Sequence, residues 1–169
     1  LLVVSAHSAD WVWRSSGTIA KYLAGGAQVY VVCLTYGARG ESGPLWKQEG
    51  QDAENVKKIR LTESMNAAKV LGVTNFEMWD YDDCMLEVSP EIIRKLNEKI
   101  REVQPTLIIT HDKVDLTNPD HGFARDIVYR ASIMSRQAGI ESSGLKPAKA
   151  APIFGFEASQ PERSGYVPA

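Results

Sequence analysis

The chain has three histidines, and the residues beside them carry most of its chemical promise. "SAHSAD", directly after the apolar run "LLVV", sets His7 and Asp10 three apart. An imidazole and a carboxylate on one tight turn are both good ligands for a divalent metal, so this spacing points to a shared ion. His121, after the loop "DKVDLTNPD", supplies a third ligand from elsewhere in the chain. Three protein ligands with open positions are the pattern of a catalytic zinc, whereas a structural zinc is closed by four. Two histidines and a carboxylate suit non-haem iron as well, so both metals stay open. Ala9 poses the harder question. A hydrolytic metal site needs a proton acceptor beside its water, and alanine is not one.

A second stretch, "TYGARGESGPLW", follows a strand-like run and adds more candidates. Its glycines let backbone approach a ligand closely, and Arg39 can grip a carboxylate bidentately. Glu41 is the ionisable group placed to act as acid or base, with Ser42 beside it. Arg14, after "WVW", is expected to open a first helix, where a positive charge is disfavoured. That points to a ligand role or to a surface ion pair. Arg60 and Glu63, three apart on a helix, read as a surface pair. Trp11, Trp13 and Trp46 read as packing or as pocket walls.

The elements that must hold these residues alternate along the chain. "LLVVSA" and "QVYVVCLTY" are short, β-branched and nearly continuous, as strands buried on both faces are. "NFEMWD", "TLIITH" and "PIFGFEA" are weaker strands. Between them, helices are expected at about 15–24, at 52–71 ending on Gly72, at 89–103 with Ser89 as N-cap and Pro90 after it, and at 121–134. Their apolar stripes include Val56, Ile59, Ala67, Val70 and Leu71 in the second and Phe123, Ala124, Ile127, Val128, Ala131 and Met134 in the last. This alternation predicts an α/β fold, a Rossmann-like, mostly parallel sheet with helices on both faces. In such sheets the site lies beyond the carboxyl ends of the strands. His7, His111 and His121 all fall at that edge. A dinucleotide site would need G-x-G-x-x-G after the first strand, and "HSADWVWRSSG" stands there instead.

At 169 residues the chain is expected to form a single domain. A net charge of -2 gives no reason to expect nucleic acid or a membrane surface as partner. Two cysteines, Cys33 and Cys84, read as reduced thiols of a cytoplasmic protein. The ending "FEASQPERSGYVPA" is polar and turn-rich, so a domain truncated at its C-terminus is expected, with a homo-oligomer left open.

"AHSAD", "TYGARGES" and "THDKVDLTNPDH", in this order, resemble the zinc-dependent LmbE/PIG-L superfamily of N-acetylglucosaminyl deacetylases. The resemblance covers essentially the whole chain. The superfamily's first motif reads A-H-P-D-D, where the His and last Asp bind zinc and the middle Asp is the general base. A later H-x-x-H supplies the third ligand. Carried over, the resemblance implies zinc on His7, Asp10 and His121. Two positions depart from the pattern: the base is Ala9, and the first His of the later motif is Asn118. Loss of a general base typically costs about 10²–10⁴-fold in rate.

The 4-oxalomesaconate hydratase branch of the superfamily is similar in "VVSAHSADWVWR" and "GARGES". The resemblance implies a metal-dependent hydratase of a small, anionic, unsaturated oxo-polycarboxylate. Glu41 would then move the proton. Arg39, Arg14 and Ser42 would anchor carboxylates, and His111 and Asn118 would orient substrate or ligands. That branch also carries a histidine near "FEASQPE", where this chain has Glu157, Ala158 and Ser159. The alternatives are a deacetylase with displaced acid and base groups, and a metal-binding protein without catalysis.

Overall fold

The computed structural model describes residues 1–113, 115 and 117–156. The chain divides into two compact units, Val3–Leu86 and a second made of Leu1–Leu2 with the chain from Glu87 onward.

In the Val3–Leu86 unit the strands run β3-β2-β1, with β1 at Leu2–Ser5, β2 at Tyr30–Thr35 and β3 at Asn75–Tyr81. β1 is buried at every position, and in β2 only Tyr30 is not. Continuous apolar sequence is what a strand covered on both faces requires. β2 and β3 pair in parallel, Tyr30 opposite Asn75 and Cys33 opposite Met78, with a register shift before Thr35 and Tyr81. Helix α1 (Asp10–Ala24) follows β1, the single turn α2 (Gly43–Trp46) follows β2, and α3 (Ala53–Leu71) precedes β3. Asp52 caps α3 by accepting the Asn55 N–H, and Gly72 ends it in the left-handed region at φ 81.

In the other unit, α4 (Pro90–Val103) packs on α5 (Pro119–Ser135), and β4 (Ile108–Thr110) pairs in parallel with β5 (Ile153–Gly155). The Leu2 N–H donates to the Leu107 carbonyl, tying the chain's first residues to this unit. Ser89 caps α4 as expected, with its hydroxyl accepting the Ile92 N–H. The parallel α/β class holds.

Several boundaries differ from expectation. α1 begins at Asp10, five residues early, because the Asp10 carboxylate accepts the His7 N–H and closes the entering turn. Arg14 therefore sits inside the helix, not at its start. α5 begins at Pro119, so His121 is its third residue. Val70 and Phe123, assigned to buried stripes, are 86% and 41% exposed. They lie off the faces that Val56, Ser64 and Ala68 in α3, and Ala124, Ile127 and Val128 in α5, turn to the core. Among the described residues, no helix is long and apolar enough to cross a membrane.

Arg101, 3% exposed on α4, is a buried cation the apolar pattern hid. Its Nη2 donates to the Gln137 carbonyl at 2.8 Å and its Nη1 to that of Leu145 at 3.2 Å, pinning the segment after α5. Arg101→Leu should cost about 1.5–3 kcal/mol, since the two carbonyls lose a charged donor. A lower urea midpoint with unchanged metal content would be the signature.

Candidate active site

Beyond β1 the chain turns at once into α1, and this turn carries the first candidate ligands. Thr35, the last residue of β2, donates both its N–H and its hydroxyl to the Ala6 carbonyl, each at 2.9 Å. The Ser5 hydroxyl donates to the His7 carbonyl. His7, 2% exposed, is thus fixed through its backbone on both sides. Its Nδ1 lies 3.1 Å from Asp10 Oδ2. Two ligands on a tetrahedral zinc at about 2.0–2.1 Å stand about 3.3 Å apart, so the pair fits a common ion. The other carboxylate oxygen of Asp10 is 3.7 Å from Arg14 Nε, so Arg14 faces Asp10 as an ion pair.

The Glu41 loop comes next. Gly37 has φ 64, and a Cβ there would stand 3.1 Å from Glu41 Cβ and 3.2 Å from His7 Cβ. Only glycine allows both the backbone conformation and this approach. Glu41 remains 41% exposed, and its Oε1 lies 3.9 Å from His7 Nδ1. Asp83, 3% exposed, accepts the N–H groups of Arg39 and Gly40. The Arg39 guanidinium pairs with Asp82 on an exposed surface. Ser42 is fully buried; its hydroxyl donates to the Gly37 carbonyl at 2.7 Å and accepts from Arg60 Nε at 2.8 Å. The structure thus gives Ser42 a loop-holding role, where a carboxylate anchor was expected. A cleft of about 170 Å³ is lined by Ala9, Trp13, Arg60 and Glu63 among others. Of the tryptophans, Trp11 is buried, Trp13 is 90% exposed, and Trp46 donates to the Ala38 carbonyl. Among the described residues Cys33, buried, and Cys84, exposed, are thiols and form no disulfide. Burial pushes the Cys33 thiol up to about 12, which makes it inert, as its apolar strand suggested.

In the other unit His111 follows β4 directly and stacks on His121, ring centroids 4.0 Å apart at 16°. Phe156 meets His111 edge-on at 5.0 Å. Asp115 Oδ2 lies 2.8 Å from His121 Nδ1. Burial alone would raise the Asp115 carboxyl, but hydrogen bonds from Thr117 and His121 outweigh it and hold the group well below the usual carboxylate range. A carboxylate that stays ionised favours the tautomer with a proton on Nδ1, leaving Nε2 as the ligand nitrogen. Asn118 caps α5, its side-chain oxygen accepting the Asp120 N–H at 3.1 Å, a structural duty not foreseen. Ligand atoms suited to a metal are thus carried by His7, Asp10 and Glu41 in one unit and by His111 and His121 in the other. Glu157, Ala158 and Ser159 lie outside the described residues.

Sequence reasoning missed Asp115, Asp83 and the true partners of Arg60. The "D-x-T" in "DKVDLTNPD" was the available signal for Asp115, since an aspartate two before a threonine often closes a local turn.

A parallel α/β scaffold with His and Asp beyond its first strand defines a class, and comparison gives it a family. The family model described as GlcNAc-PI de-N-acetylase (PIG-L) matches residues 2–132, and the chain belongs to that family. The 4-oxalmesaconate hydratase of Pseudomonas putida is 38% identical over 167 residues, 99% of this chain and 64% of that protein. The crystal structure of GalB, the 4-carboxy-2-hydroxymuconate hydratase from Pseudomonas putida KT2440, matches with a TM-score of 0.94 at 38% identity, over 99% of this chain and 69% of that one. N,N'-diacetylchitobiose deacetylase from Pyrococcus horikoshii matches at 0.84 and 25% identity, over 94% of this chain and 60% of that one. A 1D-myo-inositol 2-acetamido-2-deoxy-alpha-D-glucopyranoside deacetylase of Thermomonospora curvata is 32% identical over 152 residues, 78% of this chain and 51% of that protein. The chain therefore spans less than two thirds of the length of these two curated relatives. The expected LmbE/PIG-L membership and α/β fold are borne out.

Proposed function

We propose that the protein is a metal-dependent hydratase that adds water to a carbon–carbon double bond of a small unsaturated oxo-polycarboxylate, such as 4-oxalomesaconate, in the cytoplasm. The observation that carries this reading is the Glu41 carboxylate 3.9 Å from His7, in a chain whose turn offers only Ala9 where a deacetylase has its base. The likeness at 38% identity to the hydratase and to the hydratase crystal structure from Pseudomonas putida supports it. His7, Asp10 and His121 are the proposed ligands, with zinc the favoured ion and iron the other. When bound, the ion supplies a Lewis acid that polarises the substrate's 2-oxo group.

The chain's own residues do the rest. Water adds as hydroxyl to one alkene carbon and as a proton to its neighbour, and Glu41 is the group that carries the proton. Arg39, at the exposed rim of the Glu41 loop, is the proposed contact for a substrate carboxylate; Arg14 tempers the charge of Asp10. Asp115 orients His121. Asn118, whose side-chain oxygen caps α5, is an amide without a titratable proton and cannot act as a proton carrier, which weighs against deacetylation.

The test is an absorbance assay on full-length, zinc-loaded protein with 4-oxalomesaconate. Loss of the conjugated chromophore, abolished by a chelator, is expected; zinc-bound protein that leaves the chromophore intact would overturn the assignment. A companion prediction concerns Asp115→Asn, which should weaken metal affinity about 10–100-fold. Competition with a chelating dye measures it.

A further inference from the structure

Arg60 reads in sequence as half of a surface pair with Glu63, yet only one edge of its guanidinium serves that pair. Nη1 meets Glu63 Oε2 at 2.7 Å. Nε donates to the Ser42 hydroxyl at 2.8 Å, and Nη2 to the Glu41 carbonyl at 3.3 Å. Ser42 in turn donates to the Gly37 carbonyl, so the bonds run from α3 through Ser42 to both ends of the 37–42 loop. On the loop's other shoulder the Asp83 carboxylate holds the Arg39 and Gly40 N–H groups. The one residue between these two fastenings is Glu41. Its backbone is clamped while its side chain stays 41% exposed, which is what a group that must meet substrate from a fixed position requires.

We propose that Arg60 is a positioning residue: through Ser42 and the Glu41 carbonyl it locks the loop that sets Glu41 against His7. Three edges of its guanidinium are engaged within the protein, so its work is holding the loop and not anchoring substrate. The inference rests on the hydratase reading for its catalytic arm, with Glu41 as proton carrier. Its structural arm stands without that reading.

Lysine at position 60 keeps the charge and can still pair with Glu63, but a single ammonium cannot reproduce the fork that serves Ser42 and Glu41 together. Four full-length, zinc-loaded proteins decide the matter: Arg60→Lys, Ser42→Ala, the double variant, and Glu102→Gln. Amide hydrogen exchange of the 37–43 segment should rise in the first two and rise no further in the double, because they break one connected lock. kcat should fall about 10–100-fold with KM within about twofold, the pattern of a misplaced catalytic group. Glu102→Gln, which removes an exposed pair with Lys99 of the same i,i+3 spacing, should match wild type in both.

Unchanged exchange in Arg60→Lys and Ser42→Ala would overturn the proposal. So would raised exchange with kcat intact, or a rise in KM alone, which would make Arg60 a substrate anchor. If the wild-type protein shows no hydratase activity, the proposed function fails. The exchange data then still decide whether Arg60 locks the loop.

Discussion

Glu41→Gln should lower kcat for hydration about 10²–10⁴-fold, the usual effect of removing a positioned proton carrier. The substitution is a clean probe because the loop is fastened by other groups. Gly37, Arg39, Gly40 and Ser42 are held through Thr35, Asp83 and Arg60, and the Glu41 backbone carbonyl accepts from Arg60. Glutamine keeps the shape and loses the ability to take a proton. Three other carboxylates of this unit are committed elsewhere: Asp10 is bound to the His7 turn, Asp83 to backbone N–H groups, and Glu63 to Arg60. Steady-state rates on the chromophoric substrate, with metal content measured in parallel, check the prediction. A variant within about threefold of wild type would remove Glu41 from the mechanism.

What could be read from the sequence was whatever local chemistry writes into adjacent positions. β1 and β2 announced themselves because a strand covered on both faces needs unbroken apolar sequence. The Ser89 cap, the Asp10 partner of His7 and the terminal Gly72 all act within four residues of where they stand. Apart from the nearby Asp115–His121 pair, the missed interactions are long-range ones. Arg60 reaches Ser42, 18 positions away, and Asp83 reaches Arg39 across 44, distances at which no periodicity connects the partners. An Arg and a Glu three apart look identical whether the guanidinium faces water or fastens a loop. Asn118 shows the converse. Its type and place in the motif invited a substrate-orienting reading, while Pro119 after it already marked a helix start, where Asn is a favoured cap. Val70 and Phe123 were misassigned because hydrophobicity alone does not fix a helix face when nearby small or polar residues such as Ala68 and Ser64 take the core positions.

The second large effect is expected from the metal. His7→Ala should leave the turn folded, since the Asp10 carboxylate holds the His7 backbone N–H and the Ser5 hydroxyl its carbonyl, neither through the imidazole. It should nonetheless lose the ion and with it all measurable hydratase activity. The argument is thermodynamic. An ion that binds only the native state adds RT ln(1 + [L]/Kd) to stability, about 2.7 kcal/mol at a hundredfold excess over Kd. For a protein of this size each kcal/mol moves Tm by about 2–4 °C, so chelation should lower the wild-type Tm by about 5–10 °C. In His7→Ala the same chelator should move Tm by less than about 1 °C, because there is no bound ion to remove. Asp10→Asn should fall between the two, as an amide oxygen is a weaker ligand than a carboxylate and its N-terminal position on α1 loses a favourable charge. Elemental analysis and thermal scans with and without chelator measure all three. A wild-type Tm indifferent to chelation, together with an active His7→Ala protein, would show that His7 holds no metal and that the turn after β1 serves some other end.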